Sequence, residues 1–278
     1  MLELESLSIG QYGFIGNAFS FGLAVMAATT LFLWLMRSTV APAYQMAITI
    51  SGLVTAIAAY HYFQIMLSWD GAATVTTGEV VATGEGFNRA YRYVDWLLTV
   101  PLLLVELILV MKLSNSETVS RSVKLGGAAA LMIILGYPGE VSDEVGTRAI
   151  FWILSMIPFL YIVRELVVGL KESISQQPEE VKGLINAAAI LVVASWAFYP
   201  IVYLLPLVGV TGGAAIVAVE IGYTIADIVA KAVFGILILT IAIRKSKADA
   251  GNATTAKVEP TKSAKEGEQQ AKPAKQGA

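Results

Sequence analysis

Residues 214–243 read AAIVAVEIGYTIADIVAKAVFGILILTIAI, an apolar run interrupted by only three charged side chains, Glu220, Asp227 and Lys231. A helix needs about 20 mostly apolar residues to cross the hydrocarbon of a bilayer, so this run reads as a spanning helix. Six more stretches qualify, at roughly 13–36, 43–67, 91–111, 123–138, 148–169 and 184–206. The fourth is short and leans on a turn expected at Gly136, Tyr137 and Pro138. All seven are continuously apolar instead of alternating every second residue, which argues against a transmembrane barrel. The expected fold is an all-α membrane protein, a seven-transmembrane-helix bundle.

Composition agrees. The 278 residues are 56% hydrophobic and 14% charged, with a mean hydropathy of +0.68, against roughly 25% charged in an ordinary soluble domain. Cysteine is absent and His61 is the single histidine, which excludes disulfides, thiolate metal sites and clustered imidazole ligands. A net charge of −2 gives no basic face for nucleic acid. We expect residues 1–247 to form the membrane domain and 248–278, rich in Ala, Lys, Glu and Gln, to form a disordered cytoplasmic tail. The start, MLELESLSIG, lacks the positive region of a secretory signal, so no cleaved presequence is expected. Between the second and third stretches, Thr74–Thr77 and Glu79–Thr83 flank Gly78 and suggest a short hairpin.

Basic residues set the orientation. Arg37, Lys112, Arg121, Lys124, Arg164, Lys171, Lys182, Arg244, Lys245 and Lys247 fall on one side, and Arg89, Arg92 and Arg148 on the other. By the positive-inside rule the N-terminus is expected outside and the C-terminus in the cytoplasm, so the third helix runs inward.

Charged side chains at membrane depth cost at least ~2.5–3.5 kcal/mol each on insertion scales. Lys231 lies mid-helix, too far from either end to snorkel, with Asp227 one turn earlier on the same face. The pair could be a structural tie between helices. The reading preferred here is a buried amine able to condense with an aldehyde. In RYVDWLLTVPLLLVE, residues 92–106, Arg92, Asp95 and Thr99 share a face, and Glu106 follows Asp95 by eleven residues, about 16 Å along the axis on nearly the same face. Two carboxyl groups at different depths suit two stations on one path. With a cationic nitrogen at Lys231, Asp95 becomes an acceptor on its outer side. Glu106, surrounded by Leu102, Leu103, Leu104, Val105, Leu107 and Ile108, becomes a neutral donor on its inner side. Outward proton pumping follows. Glu220, seven residues before Asp227, reads either as part of the exit path or as an interfacial carboxylate in water.

RYVDWLLTVPLL (92–103), SWAFYP (195–200) and DIVAK (227–231) resemble the signatures of microbial (type 1) rhodopsins, and residues 10 to about 246 fit their seven-helix plan. The likeness is greatest to the proteorhodopsin and xanthorhodopsin-like bacterial light-driven proton pumps. The resemblance implies all-trans retinal held as a protonated Schiff base on Lys231, Asp95 and Asp227 as counterions, Asp95 as proton acceptor, Glu106 as donor, Arg92 tuning the counterions and Thr99 hydrogen-bonded to Asp95. His61, in AAYHYFQ, reads alone as a satisfied core side chain; the resemblance makes it a hydrogen-bond partner of Asp95.

The same resemblance implies a retinal pocket of Trp96, Leu103, Met132, Gly136, Trp152, Ser155, Met156, Phe159, Trp196, Tyr199, Pro200 and Tyr203. Leu103 at the tuning position implies green absorption. Carotenoid-carrying xanthorhodopsin relatives generally place a glycine where this chain has Trp152, so retinal is expected as the sole chromophore, without a carotenoid antenna. The expected partners are the lipid bilayer, protons and further copies of the chain in a homo-oligomer, a trimer or pentamer, in the inner (plasma) membrane. A retinal photosensor is the alternative, and Glu106 favours pumping over it.

Overall fold

A computed structural model describes residues 4–142 and 144–258. Among them, seven helices are long and apolar enough to cross a membrane. These are α1 (Ile9–Met36), α2 (Gln45–Ala72), α3 (Ala90–Met111), α4 (Asn115–Glu140), α5 (Val145–Arg164), α6 (Glu179–Tyr203) and α7. The last runs without a break through Gly212–Asp227, a π-helical turn at Ile228–Val233 and Phe234–Val258. A second π turn, Glu165–Gly169, extends α5.

Two helices, α4 and α7, differ most plainly from the sequence reading. α4 does not end in a turn at Gly136–Pro138: Pro138 lies inside it. A proline near a helix end forfeits one backbone bond without stopping the helix, and the Val141 N–H still donates to the Tyr137 carbonyl at 3.2 Å. Its start also lies earlier, because the Ser114 hydroxyl accepts from the Glu117 N–H at 3.3 Å and caps a polar first turn that an apolar count passes over. At the other terminus, α7 continues past residue 248 to Val258. Ala248 and Ala250 are strong helix formers, and Asp249 is tied down by Tyr44 and Lys112. The rest of the expected tail, 259–278, lies outside the described residues.

The hairpin pairs β1 (Ala73–Thr76) with β2 (Glu79–Ala82) in the register Thr74↔Val81 and Val75↔Val80. Thr77 and Gly78 both take positive φ, 52° and 87°, the pattern of the two-residue turn that matches strand twist. Val80 is buried with Leu4, Leu7 and Trp69, so the hairpin closes one end of the bundle.

α3 and α7 are the most deeply engaged helices. Arg92, Asp95, Trp96, Thr99, Val100, Leu103 and Leu107 are all buried, recurring every three to four residues as one face of an α-helix. Outward side chains such as Phe21, Leu35, Ile157 and Ile190 are 62–77% exposed, an apolar surface suited to lipid.

Candidate functional site at the centre of the bundle

Lys231 sits in the π turn of α7 and is 2% exposed. Such turns are rare and cluster at functional positions. Its Nζ donates to Asp95 Oδ2 at 2.7 Å and to Asp227 Oδ1 at 2.6 Å. One buried ammonium therefore bridges two buried carboxyl groups from different helices.

The two acids are held differently. Asp227 Oδ1 also accepts from Tyr199 Oη at 2.7 Å and from Trp96 Nε1 at 3.1 Å, and its Oδ2 accepts from Tyr62 Oη at 3.0 Å. Asp95 has only the lysine: its Oδ1 has no hydrogen-bond partner among the described residues. A carboxylate with four donors keeps its charge, whereas one with a free oxygen can take up a proton.

Three expected contacts of Asp95 come out otherwise. The His61 Nδ1 lies 3.8 Å from Asp95 Oδ1 and instead faces the Ile57 carbonyl at 2.9 Å, so the direct hydrogen bond is not made. The Ile57 carbonyl, one helical turn earlier, holds the ring beside the acid. Thr99 does bond Asp95, but at its main-chain carbonyl, 2.8 Å away, the usual resting place of a helical threonine hydroxyl. Arg92 does not contact either counterion. Its Nη1 donates to Glu220 Oε2 at 2.7 Å, and its guanidinium lies 5.0 Å from the Tyr223 ring. Glu220 is 1% exposed, so the reading of it as a water-facing carboxylate is wrong: α7 turns it inward onto Arg92.

Glu106 is fully buried, and neither carboxyl oxygen has a hydrogen-bond partner among the described residues. Leaving an ionised carboxylate bare in such surroundings is expensive, so the site suits a neutral acid.

Beside Lys231 opens a cavity whose walls are mostly aromatic and apolar, the character common to small-ligand sites. Its walls contain every expected pocket residue: Trp96 and Leu103 from α3, Met132 and Gly136 from α4, Trp152, Ser155, Met156 and Phe159 from α5, and Trp196, Tyr199, Pro200 and Tyr203 from α6, with Asp227 and Lys231 from α7. The Trp152 indole donates to the Pro200 carbonyl at 3.0 Å, which pins it in the wall. An aromatic, mostly apolar chamber with a single buried amine beside carboxylates fits a polyene aldehyde attached to Lys231.

The sequence reading missed Tyr62, Tyr93 and Tyr223. Tyr223 precedes Asp227 by one helical turn and stacks on Tyr199 at 5.5 Å, so helical spacing alone could have found it. Tyr62 has no local signal, since its partner lies on a helix 165 residues away.

A family model described as bacteriorhodopsin-like protein matches residues 14–245. The green-light absorbing proteorhodopsin of Gamma-proteobacterium EBAC31A08 is 30% identical over 84% of this chain and 88% of its own length. The blue-light absorbing proteorhodopsin of Gamma-proteobacterium Hot 75m4 is 32% identical over 84% and 87%. Among solved structures, xanthorhodopsin, described as a light-driven ion pump with dual chromophore, superposes with a TM-score of 0.85 at 48% identity, covering 88% of this chain and 98% of that one. Thermophilic rhodopsin has the same TM-score at 44% identity, covering 87% and 98%. The chain belongs to the bacteriorhodopsin-like family of microbial rhodopsins, multi-pass membrane proteins of the retinal-bearing, light-driven ion-pump kind, transporters and not enzymes.

Proposed function

We propose that the protein is an outward light-driven proton pump, with retinal on Lys231, Asp95 as proton acceptor and Glu106 as proton donor, its N-terminus outside the inner (plasma) membrane and its C-terminus in the cytoplasm. One observation carries this reading: Lys231 Nζ stands 2.7 Å from an acid with a free oxygen, while a second, unpartnered acid is buried eleven residues farther along the same helix. Retinal, bound at Lys231, supplies the light-driven change of geometry.

The chain's own groups do the rest. Asp227 keeps its charge under four donors and stays a fixed anion beside the nitrogen. Asp95 takes the proton from the Lys231 nitrogen onto Oδ2, which already accepts its hydrogen bond at 2.7 Å. Glu106 returns one across about 16 Å of helix. Leu103, Leu104 and Leu107, all 0% exposed, keep bulk water from short-circuiting the two sides. Arg92, saturated in charge by Glu220, lies on the exit side, where its two unpartnered nitrogens can order water.

Retinal-supplied cells under illumination should acidify an unbuffered medium, and a protonophore should abolish the signal. Colour without any pH change would favour the photosensor reading instead.

We read retinal as the only chromophore, because Trp152 fills the wall of the cavity and is fastened to Pro200. Wild type incubated with a carotenoid should show no carotenoid band in the action spectrum of pumping. Trp152→Gly should gain one if the indole is what closes the wall. A carotenoid band in wild type would overturn the reading.

A further inference from the structure

At the end of the bundle opposite the hairpin, Lys245 of α7 is buried at 4% exposure. Its Nζ donates to the Met111 carbonyl of α3 at 2.7 Å and to Gln177 Oε1 at 2.6 Å. The Met111 carbonyl is available because α3 ends there. Lys112 turns left-handed, at φ 56° and ψ 54°, and its N–H returns to Leu109. Carbonyls of a last helical turn lack partners within the helix and carry partial negative charge, so a cation is their natural cap. Gln177 immediately precedes Pro178, which caps the start of α6. The same ammonium lies 5.3 Å from the centroid of the Tyr44 ring at the start of α2. The Tyr44 hydroxyl and Lys112 Nζ both donate to Asp249 Oδ2 at 2.9 Å. A single buried cation thus fastens α3, α7 and the link into α6, over a ring from α2.

Glu106 lies five residues earlier on α3 than Met111, about 7.5 Å along the axis. Leu107, Ile108, Val110 and Met111, each 0–1% exposed, fill the interval. If Glu106 is refilled from this end, as the pump reading on which this inference rests requires, the proton must cross these buried residues from the helix ends that Lys245 ties together.

We propose that Lys245 is a positioning residue for proton uptake: a bolt across the ends of α3, α7 and the approach to α6 that holds the way to Glu106 shut until the bolt is drawn. Its ammonium acts in two ways. The bonds to Met111 and Gln177 hold the helix ends together, and both are charge-assisted, the stronger kind. The charge itself repels a hydronium approaching this end of α3. Lys245 never exchanges the transported proton; it sets how often the entrance opens.

The test follows two rates in the retinal-loaded, full-length protein after a light flash. One is proton uptake from the medium, read with a pH-sensitive dye. The other is internal reprotonation of the Lys231 nitrogen, read from the visible absorbance. Lys245→Met removes the charge and both bonds while keeping an unbranched side chain. It should speed uptake by about 100-fold, the effect of losing two charge-assisted hydrogen bonds from the closed form at about tenfold each. Colour and internal reprotonation should stay as in wild type. Lys245→Arg should restore the slow uptake. Gln177→Ala, which leaves the lysine in place, should speed uptake less, in the same direction. Unchanged uptake in both Lys245→Met and Gln177→Ala overturns the proposal, and so does slower uptake, since the lysine would then be conducting protons. If Lys245→Met fails to bind retinal, Gln177→Ala decides alone. Wild type run alongside separates the two levels: no light-driven uptake in wild type sinks the pump reading itself, whereas normal wild-type uptake with unresponsive variants sinks only the bolt.

Discussion

Lys231→Ala should yield a protein that stays colourless with added retinal and moves no protons in light. Among the described residues the amine is the only basic group that hydrogen-bonds both Asp95 and Asp227, and it lines the cavity that the aromatic side chains enclose. A second effect accompanies the loss of colour. With the ammonium gone, two buried carboxyl groups remain without their shared cation. Removing one partner of a buried ion pair typically costs about 3–5 kcal/mol, so the variant should melt well below the wild-type apoprotein. Asp95→Asn added to Lys231→Ala neutralises one of the stranded acids and should recover part of that stability while remaining colourless. Absorbance with added retinal reads the attachment, and thermal melting reads the ion pair. A Lys231→Ala protein that still takes up retinal and absorbs visible light would remove the lysine from its role.

Glu106→Gln should leave the colour nearly intact and slow reprotonation of the Lys231 nitrogen by about 100-fold, the low end for removing a positioned proton donor. Colour survives because Glu106 lies about 16 Å along α3 from Asp95, too far to alter the counterion. Folding should survive too, since glutamine is neutral and close to the acid in shape, and the carboxyl it replaces makes no hydrogen bond among the described residues. The pH dependence sharpens the test. With an internal donor, reprotonation draws on a proton already in the protein and changes little with the medium. Without it, the proton must come from bulk water, so the rate should fall about tenfold for each unit the pH rises, in proportion to proton concentration. Flash photolysis across several pH values measures both. A Glu106→Gln photocycle with wild-type timing and no new pH dependence would show that protons reach the nitrogen by another route.

The bundle was legible in the sequence because burial in lipid leaves a one-dimensional trace. Seven apolar runs stood out, six of them long enough to span and the fourth shorter, and the hairpin showed in Gly78 between β-prone segments. Lys231, Asp95, Asp227 and Glu106 stood out for the same reason: an ionisable group inside an apolar run is costly wherever the helix later packs. The pocket residues were reachable through likeness to a known family, not through periodicity. Helix ends were less legible, as α4 and α7 show, since polar turns beyond the bilayer carry no apolar signal.

Only the packed structure decided which partner each charge chose. Arg92 and Asp95 share a face of α3, yet Arg92 turns to Glu220 and Asp95 to Lys231. His61 stops 3.8 Å short of Asp95 because a backbone carbonyl takes its Nδ1. Tyr62 joins Asp227, and Lys245 caps α3, across separations of 165 and 134 residues. Burial cost depends on each residue and its immediate neighbours, so sequence determines it. Hydrogen-bond choice depends on ångström distances between separate helices, so only their packing can settle it.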